Sequence, residues 1–209
     1  MFRSFRRLTT LLLVLTLLLH TAAILPVSAA PSPSITLKSQ AYKNGIAKYP
    51  VVSGLASKEV QDRINRFMLK EAQEFMKGSR EAQTAQWDAS VVYNQKGYIS
   101  FVVFYDIYFE GAAHGLPGLK GYTFEAANGR LLRLRDLYDI TGPGRTIINN
   151  EIIRQVEEQQ IGLFEPFAGI GDNPEFYLVP DNVVIVYNPY EIAPFAAGIL
   201  EFPIPAKHH

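Results

Sequence analysis

Residues 99–138 read ISFVVFYDIYFEGAAHGLPGLKGYTFEAANGRLLRLRDLY, a long strand, a glycine-rich loop and a hairpin around which the rest of the chain is organised. Ile99, Phe101, Val103, Tyr105, Ile107 and Phe109 fall on one face of a strand, and Ser100, Val102, Phe104, Asp106 and Tyr108 on the other, because side chains alternate at period two. One face is wholly apolar and the second nearly so. Such a strand belongs in the middle of a sheet, covered on both faces, since an exposed edge of this kind invites aggregation. Glycines at 111, 115, 118 and 121 then interrupt the pattern. Tyr122 and Phe124 resume it, and Leu132 and Leu134 continue it across Asn128-Gly129, a pair that predicts a hairpin with a type I′ turn.

Upstream, Asn94-Gln95-Lys96-Gly97 turns a strand over Trp87–Tyr93 into this long strand, so the two are expected to pair antiparallel. Further back, Ser57 to Lys77 carries Val60, Ile64, Phe67, Met68, Ala72, Phe75 and Met76 on one stripe at helical spacing, with Ser57 as N-cap, Glu59 in the first turn and Gly78 as the stop. Strands over Ile35–Tyr42 and Tyr49–Val52 precede it; Pro50 marks an edge or a strand start. Downstream, Thr141-Gly142-Pro143-Gly144 opens a helix over Arg145–Gln159, with Ile148, Ile152 and Val156 repeating every four residues and Gly162 closing it. A hairpin over Phe176–Val179 and Val183–Tyr187 turns at Pro180-Asp181-Asn182, and Leu200, Phe202 and Ile204 alternate in a closing strand. Tight turns between strands and two separate helices predict an α+β fold on an antiparallel sheet, a small N-terminal strand-helix unit packed on a larger sheet domain. The expected division is 1–29, 30–94 and 95–209, with the seam between Ser79 and Gln95.

The first 29 residues read as an export signal. Arg3, Arg6 and Arg7 precede an apolar run from Leu8 to Leu19, and Val27-Ser28-Ala29 is a small-x-small cleavage site. His20 and Pro26 leave the run short of the roughly 20 residues of a membrane span. Removal of the signal leaves 17 basic against 20 acidic residues. A mildly acidic chain is a poor match for nucleic acid or an anionic membrane. Cysteine is absent, so no disulfide staples an exported chain and about 180 residues must form an apolar core. The expectation is a secreted or cell-wall-associated protein of a Gram-positive bacterium.

Chemistry is sparse. Between the signal and the terminal His208 and His209 the only histidine is His114, so a metal site built on histidine pairs is not expected, and neither is a cofactor. The glycines lack the phosphate-loop pattern, and no nucleophile elbow occurs. Asp136, Asp139, Asp172 and Asp181 lack the spacing of a calcium loop and read as turn residues or caps. His114 beside Glu110 admits two readings: a loop-fixing histidine, or an acid-base pair. The second gives the alternative function, a cell-wall-active hydrolase using Glu110 and His114. Aromatics are plentiful, with 11 Tyr and 13 Phe. Tyr108, Phe164, Phe167, Tyr190 and Phe195 fall in or beside loops, where they serve either recognition or core padding.

Three segments resemble a known family. Tyr108-Phe-Glu-Gly-Ala-Ala-His-Gly115, the stretch Tyr122-Thr-Phe-Glu … Leu134-Arg-Asp-Leu-Tyr138, and Tyr187-Asn-Pro-Tyr-Glu-Ile-Ala-Pro-Phe-Ala-Ala-Gly198 with Phe202-Pro-Ile-Pro205 are similar to the domain of unknown function 3298. The Tyr49-Pro … helix … strand unit resembles its companion, domain of unknown function 4163. That pair occurs in the extracytoplasmic domain of the lysozyme-sensing anti-sigma factor of bacilli and beside the catalytic domain of a peptidoglycan deacetylase. The resemblance implies a cell-envelope binding module without catalysis of its own, its partner a lysozyme-like protein or peptidoglycan. The anti-sigma segment and the deacetylase catalytic domain have no counterpart in these motifs. Candidate ligand-binding residues are Tyr108, His114, Tyr190, Glu191, Pro194 and Phe195.

Overall fold

The computed structural model describes Ser32 to Pro205. The expected signal over 1–29 and the terminal histidines lie outside the described residues. No helix among the described residues is long and apolar enough to cross a membrane. The architecture is α+β: a five-stranded sheet ordered β1-β2-β3-β4-β5, a three-stranded sheet ordered β6-β7-β8, and two main helices.

β1 (Ser34–Tyr42) and β2 (Gly45–Ser53) form a hairpin over Lys43-Asn44, paired without slip from Tyr42–Gly45 to Ser34–Ser53. A two-residue turn makes Tyr42–Gly45 a hydrogen-bonded pair, so alternate residues from Ile46 to Val52 aim their backbone groups away from β1. There β2 meets β3 (Thr84–Gln95) in parallel, through Gly45 to Lys48 only. This parallel pair is the one departure from the expected antiparallel order, and α1 as the crossover makes it possible. Pro50 lies beyond the pairing, where its missing N–H has no ladder to break. At Val52 the side chain of Asn65 substitutes for a strand, accepting from Val52 N at 2.7 Å and donating to Val52 O at 2.9 Å.

α1 (Lys58–Gly78) lays Val60, Ile64, Met68, Ala72 and Met76 on the sheet, as the stripe predicts. Ser57 is its N-cap, its hydroxyl accepting from Val60 N. The helix runs through Gly78, and Ser79 closes it, its N–H and its hydroxyl both donating to Phe75 O. Beneath it Trp87, Phe101 and Phe124 are buried, and Phe67 meets Tyr122 and Phe124 edge-on.

β4 (Tyr98–Tyr108) pairs antiparallel with β3 and with β5 (Gly118–Glu125). The β3–β4 turn holds Lys96 at φ 51° and Gly97 at φ 80°, the two positive values a type I′ turn requires. The turn expected at Asn128-Gly129 differs: only Gly129 has positive φ, and Asn128 instead accepts from Arg130 N and donates to Glu125. The returning strand is reduced to one bridge, Phe124–Leu131, before a short 3-10 turn at Leu134–Asp136. The even face of β4 also departs from expectation. Ser100 is buried beneath the second sheet, its hydroxyl accepting from Leu178 N, but Phe104 is 40 % exposed, because that sheet covers only one end of the strand.

α2 (Gly142–Glu158) buries Ile148, Ile152 and Gln155 against β6 (Glu175–Val179), β7 (Asn182–Tyr187) and β8 (Leu200–Pro205) and the residues leading into them. Its closure falls two residues before Gly162. Gln160 takes φ 55°, and Ile161 N donates to Val156 O, a Schellman arrangement that packs Ile161 near Val156.

The two cores, one under α1 and one under α2, meet at the edge of β5. Gly121 admits the Phe176 backbone so closely that any Cβ would overlap its carbonyl oxygen. The β5 edge is closed by side chains: Glu175 accepts from Gly121 N at 2.7 Å, and Asn188 accepts from Leu119 N at 2.7 Å while donating to Leu119 O at 3.3 Å.

Candidate functional site

The same Asn188 that clamps β5 begins the loop running from β7 to β8, and it thereby fixes that loop beside the segment joining β4 to β5. Within the loop, Asn188 N donates to Glu191 Oε2 at 3.0 Å, Glu191 N to Asn188 O at 3.1 Å, and Tyr190 N to Ala193 O at 3.1 Å. These bonds hold Tyr190 at φ 72°, a backbone conformation uncommon for a bulky residue. Its ring stands out at 54 % exposure. Strain of this kind costs on the order of 1–3 kcal/mol and persists only where surrounding contacts impose it. Pro194 then caps a short 3-10 turn, Phe195–Ala197, which orients Phe195 toward the neighbouring loop.

From the other side, the segment after Tyr108 is pinned by Ala112 N donating to Phe109 O and Leu116 N to Ile107 O. Gly118 leaves room for the Tyr105 ring across the β4–β5 pair. His114 is delivered onto Phe195, ring centroids 3.7 Å apart and 18° from parallel. Its Nδ1 lies 2.7 Å from Gly115 O, and a carbonyl can only accept, so Nδ1 carries the hydrogen. Nε2 faces the Tyr190 hydroxyl at 3.4 Å. Phe195 also packs on Tyr190, centroids 5.7 Å apart. His114, Phe195 and Tyr190 therefore form one partly exposed aromatic stack drawn from two loops.

Glu191 and Pro194 flank the stack in the same loop. Tyr108 stands apart, at the end of β4, where its carbonyl accepts from Gln83 N. Glu110 is exposed, and no hydrogen bond joins it to His114 among the described residues; both imidazole nitrogens face other partners. No three His, Asp or Glu side chains among the described residues gather as a metal site would require. Glu175, between the two cores, has its pKa raised above the usual carboxylate value by burial, against the opposing pull of the Gly121 N–H and Lys120. Burial also pushes the Tyr187 hydroxyl up to about 12, with the Glu191 charge adding to it.

Sequence reasoning missed Asn188, and it named Phe164 only as one of several loop aromatics. Asn188 stands inside a motif quoted for its likeness, yet its pair of hydrogen bonds with Leu119 spans 69 residues and has no local pattern. Phe164 N donates to Ile192 O at 3.0 Å, seating a third loop against the one that carries Tyr190. A cavity of about 600 Å³ lies elsewhere, between α2 and β8.

Fold and site together describe a two-sheet α+β domain with an aromatic loop surface. Residues 138–207 match the family model described as Protein of unknown function (DUF3298), and residues 36–117 match the model described as Deacetylase PdaC. The companion expected by resemblance over the N-terminal half, domain of unknown function 4163, is not shown by these matches; the model matched there is that of Deacetylase PdaC. Anti-sigma-V factor RsiV of Bacillus subtilis (strain 168) is 26 % identical over 196 residues, covering 82 % of this chain and 66 % of that protein. The chain thus spans about two thirds of that relative's length. Among solved structures, a DUF3298 member from Bacteroides fragilis superposes with TM-score 0.59 at 18 % identity, covering 84 % of this chain and 91 % of that one. A DUF3298 protein from Pseudomonas aeruginosa PAO1 gives TM-score 0.55 at 16 % identity, covering 85 % and 91 %. At such identities the likeness is one of fold.

Proposed function

We propose that this chain is an exported binding module of the bacterial cell envelope, and that it engages its partner through the loops carrying His114, Tyr190, Glu191, Pro194 and Phe195. The observation that carries this reading is the His114–Phe195–Tyr190 stack, held open to solvent by a strained backbone and a clamped loop. Rigid aromatics with a polar tip are the residues that dominate binding surfaces, because they bury large area at little conformational cost. A c-type lysozyme is the first partner to examine, on the sequence likeness to an anti-sigma factor and the expected envelope address. Peptidoglycan is the second.

Calorimetric titration of residues 32–209, which contain both cores, with a c-type lysozyme tests the reading, run beside sedimentation with peptidoglycan sacculi. Saturable binding to either is expected, weakened about tenfold or more by Tyr190→Ala and by His114→Ala in protein that remains folded. Binding to neither overturns the function. Binding unchanged in both variants moves the site elsewhere on the surface.

A further inference from the structure

Beside the Tyr190 loop lies a hollow of about 220 Å³, lined by Leu163, Phe164, Phe167, Glu165, Glu191 and Ile192 among others. It exists because the Phe164 N–H is bound to Ile192 O, which lays the 161–169 loop along the 188–194 loop. We infer that this hollow receives the side chain of an arginine or lysine presented by a protein partner. The inference deepens the binding function proposed above and rests on it.

The chemistry of the walls selects the occupant. Leu163, Phe167 and Ile192 supply apolar surface of the kind that covers a methylene stem. Phe164, 54 % exposed, offers an aromatic face, which attracts a cation through its quadrupole. Glu165 and Glu191 bring two carboxylates to the same hollow, and neither has a salt bridge among the described residues. Glu191 spends Oε2 on Asn188 N, leaving its other oxygen for a second donor. A guanidinium matches a carboxylate in plane and an aromatic ring by stacking, and an ammonium satisfies the same charge as a point.

The surroundings reinforce this selection. The loop over 187–198 and the two loops packed on it, 109–118 through His114 and 159–175 through Phe164, contain no lysine or arginine, and the three hold Glu110, Glu165, Asp172, Glu175 and Glu191. Arg145 neutralises Asp172 from α2, and Glu175 faces inward onto Gly121, so the uncompensated charge is that of Glu110, Glu165 and Glu191. An anionic side chain entering the hollow would meet only like charge. An uncharged apolar one would leave the carboxylates without gain.

The test is an amide chemical-shift titration of residues 32–209 with N-acetyl-arginine methylamide, beside N-acetyl-norleucine methylamide, which has a similar stem and no charge. The arginine probe is expected to shift the amides of Phe164, Glu165 and Ile192 saturably, and the norleucine probe to leave them in place. Combining Glu165→Gln with Glu191→Gln should weaken the arginine probe about fivefold or more, as removal of charge-assisted partners does. Glutamine at 191 can still accept from Asn188 N, so the loop keeps its shape. Phe164→Ala is the second variant, and it should weaken the probe with the carboxylates intact. Equal response to the two probes, or an unchanged response in both variants, overturns the inference. Arginine binding here with no binding to lysozyme or sacculi would leave this pocket standing and remove the proposed function.

Discussion

At the scale of single residues, backbone conformation follows side-chain chemistry only when no long-range partner intervenes. Lys96-Gly97 forms the type I′ turn although Asn128-Gly129 is the stronger local signal. At 128 the Asn side chain is drawn to Glu125 and Arg130, and Arg63 of α1 donates to Asn128 O at 2.8 Å, so the tertiary contact outweighs the local preference. Tyr187 is a second case. Its ring packs edge-on against Phe167 and Phe202, but its hydroxyl is buried without a hydrogen-bond partner among the described residues. Leaving such a group unpaired costs about 1–3 kcal/mol. Tyr187→Phe is therefore expected to hold or raise the midpoint of chemical denaturation, where most core substitutions lower it; a clear loss of stability would show that the hydroxyl is satisfied.

At the scale of elements, α1 is legible because its stripe, its N-cap and its length all agree, while α2 is legible only in part. The α2 stripe is short, and its end is set by the contact of Ile161 with Val156 rather than by the nearest glycine. The joint between β5 and β6 could not have been read at all. It depends on Gly121, whose neighbours in sequence say only that a strand is interrupted, and on the Phe176 backbone 55 residues away. Gly121→Ala places a methyl group against a carbonyl that is itself fixed in a sheet, so neither side can yield cheaply. The expected result is a destabilisation of at least about 2 kcal/mol, by the mechanism of overpacking. Denaturation monitored by Trp87 fluorescence beside far-ultraviolet dichroism measures it. A variant as stable as the parent would mean that the two sheets are free to separate at this point.

At the scale of the whole molecule, the two cores are linked through a half-buried carboxylate. Burial raises the Glu175 pKa in the folded chain above its ordinary value of 4.5. A raised folded pKa means that the folded state binds the proton more tightly than the unfolded state. Its contribution to stability is then fully present below the unfolded value and is lost as pH rises through the folded one. The parent is expected to lose stability across a window that opens near 4.5 and extends upward, and Glu175→Gln to flatten that part of the profile. Urea denaturation at stepped pH reads the difference. Identical profiles for parent and variant would remove Glu175 from the linkage.

The α+β class, the α1 stripe, most strands and the absence of a disulfide are legible along the chain, because they follow from periodicity, turn chemistry and composition within short windows. The sequence also brought forward His114, Tyr190 and Phe195 as separate candidates. Tertiary structure alone decided that these three stack, that Tyr108 and Glu110 stand apart from them, and that β2 runs parallel to β3. The physical reason is that each of these outcomes is fixed by contacts between residues far apart in the chain. The paired hydrogen bonds between Asn188 and Leu119, the close approach at Gly121 and the Phe164–Ile192 hydrogen bond leave no periodic trace in the sequence that folds to make them.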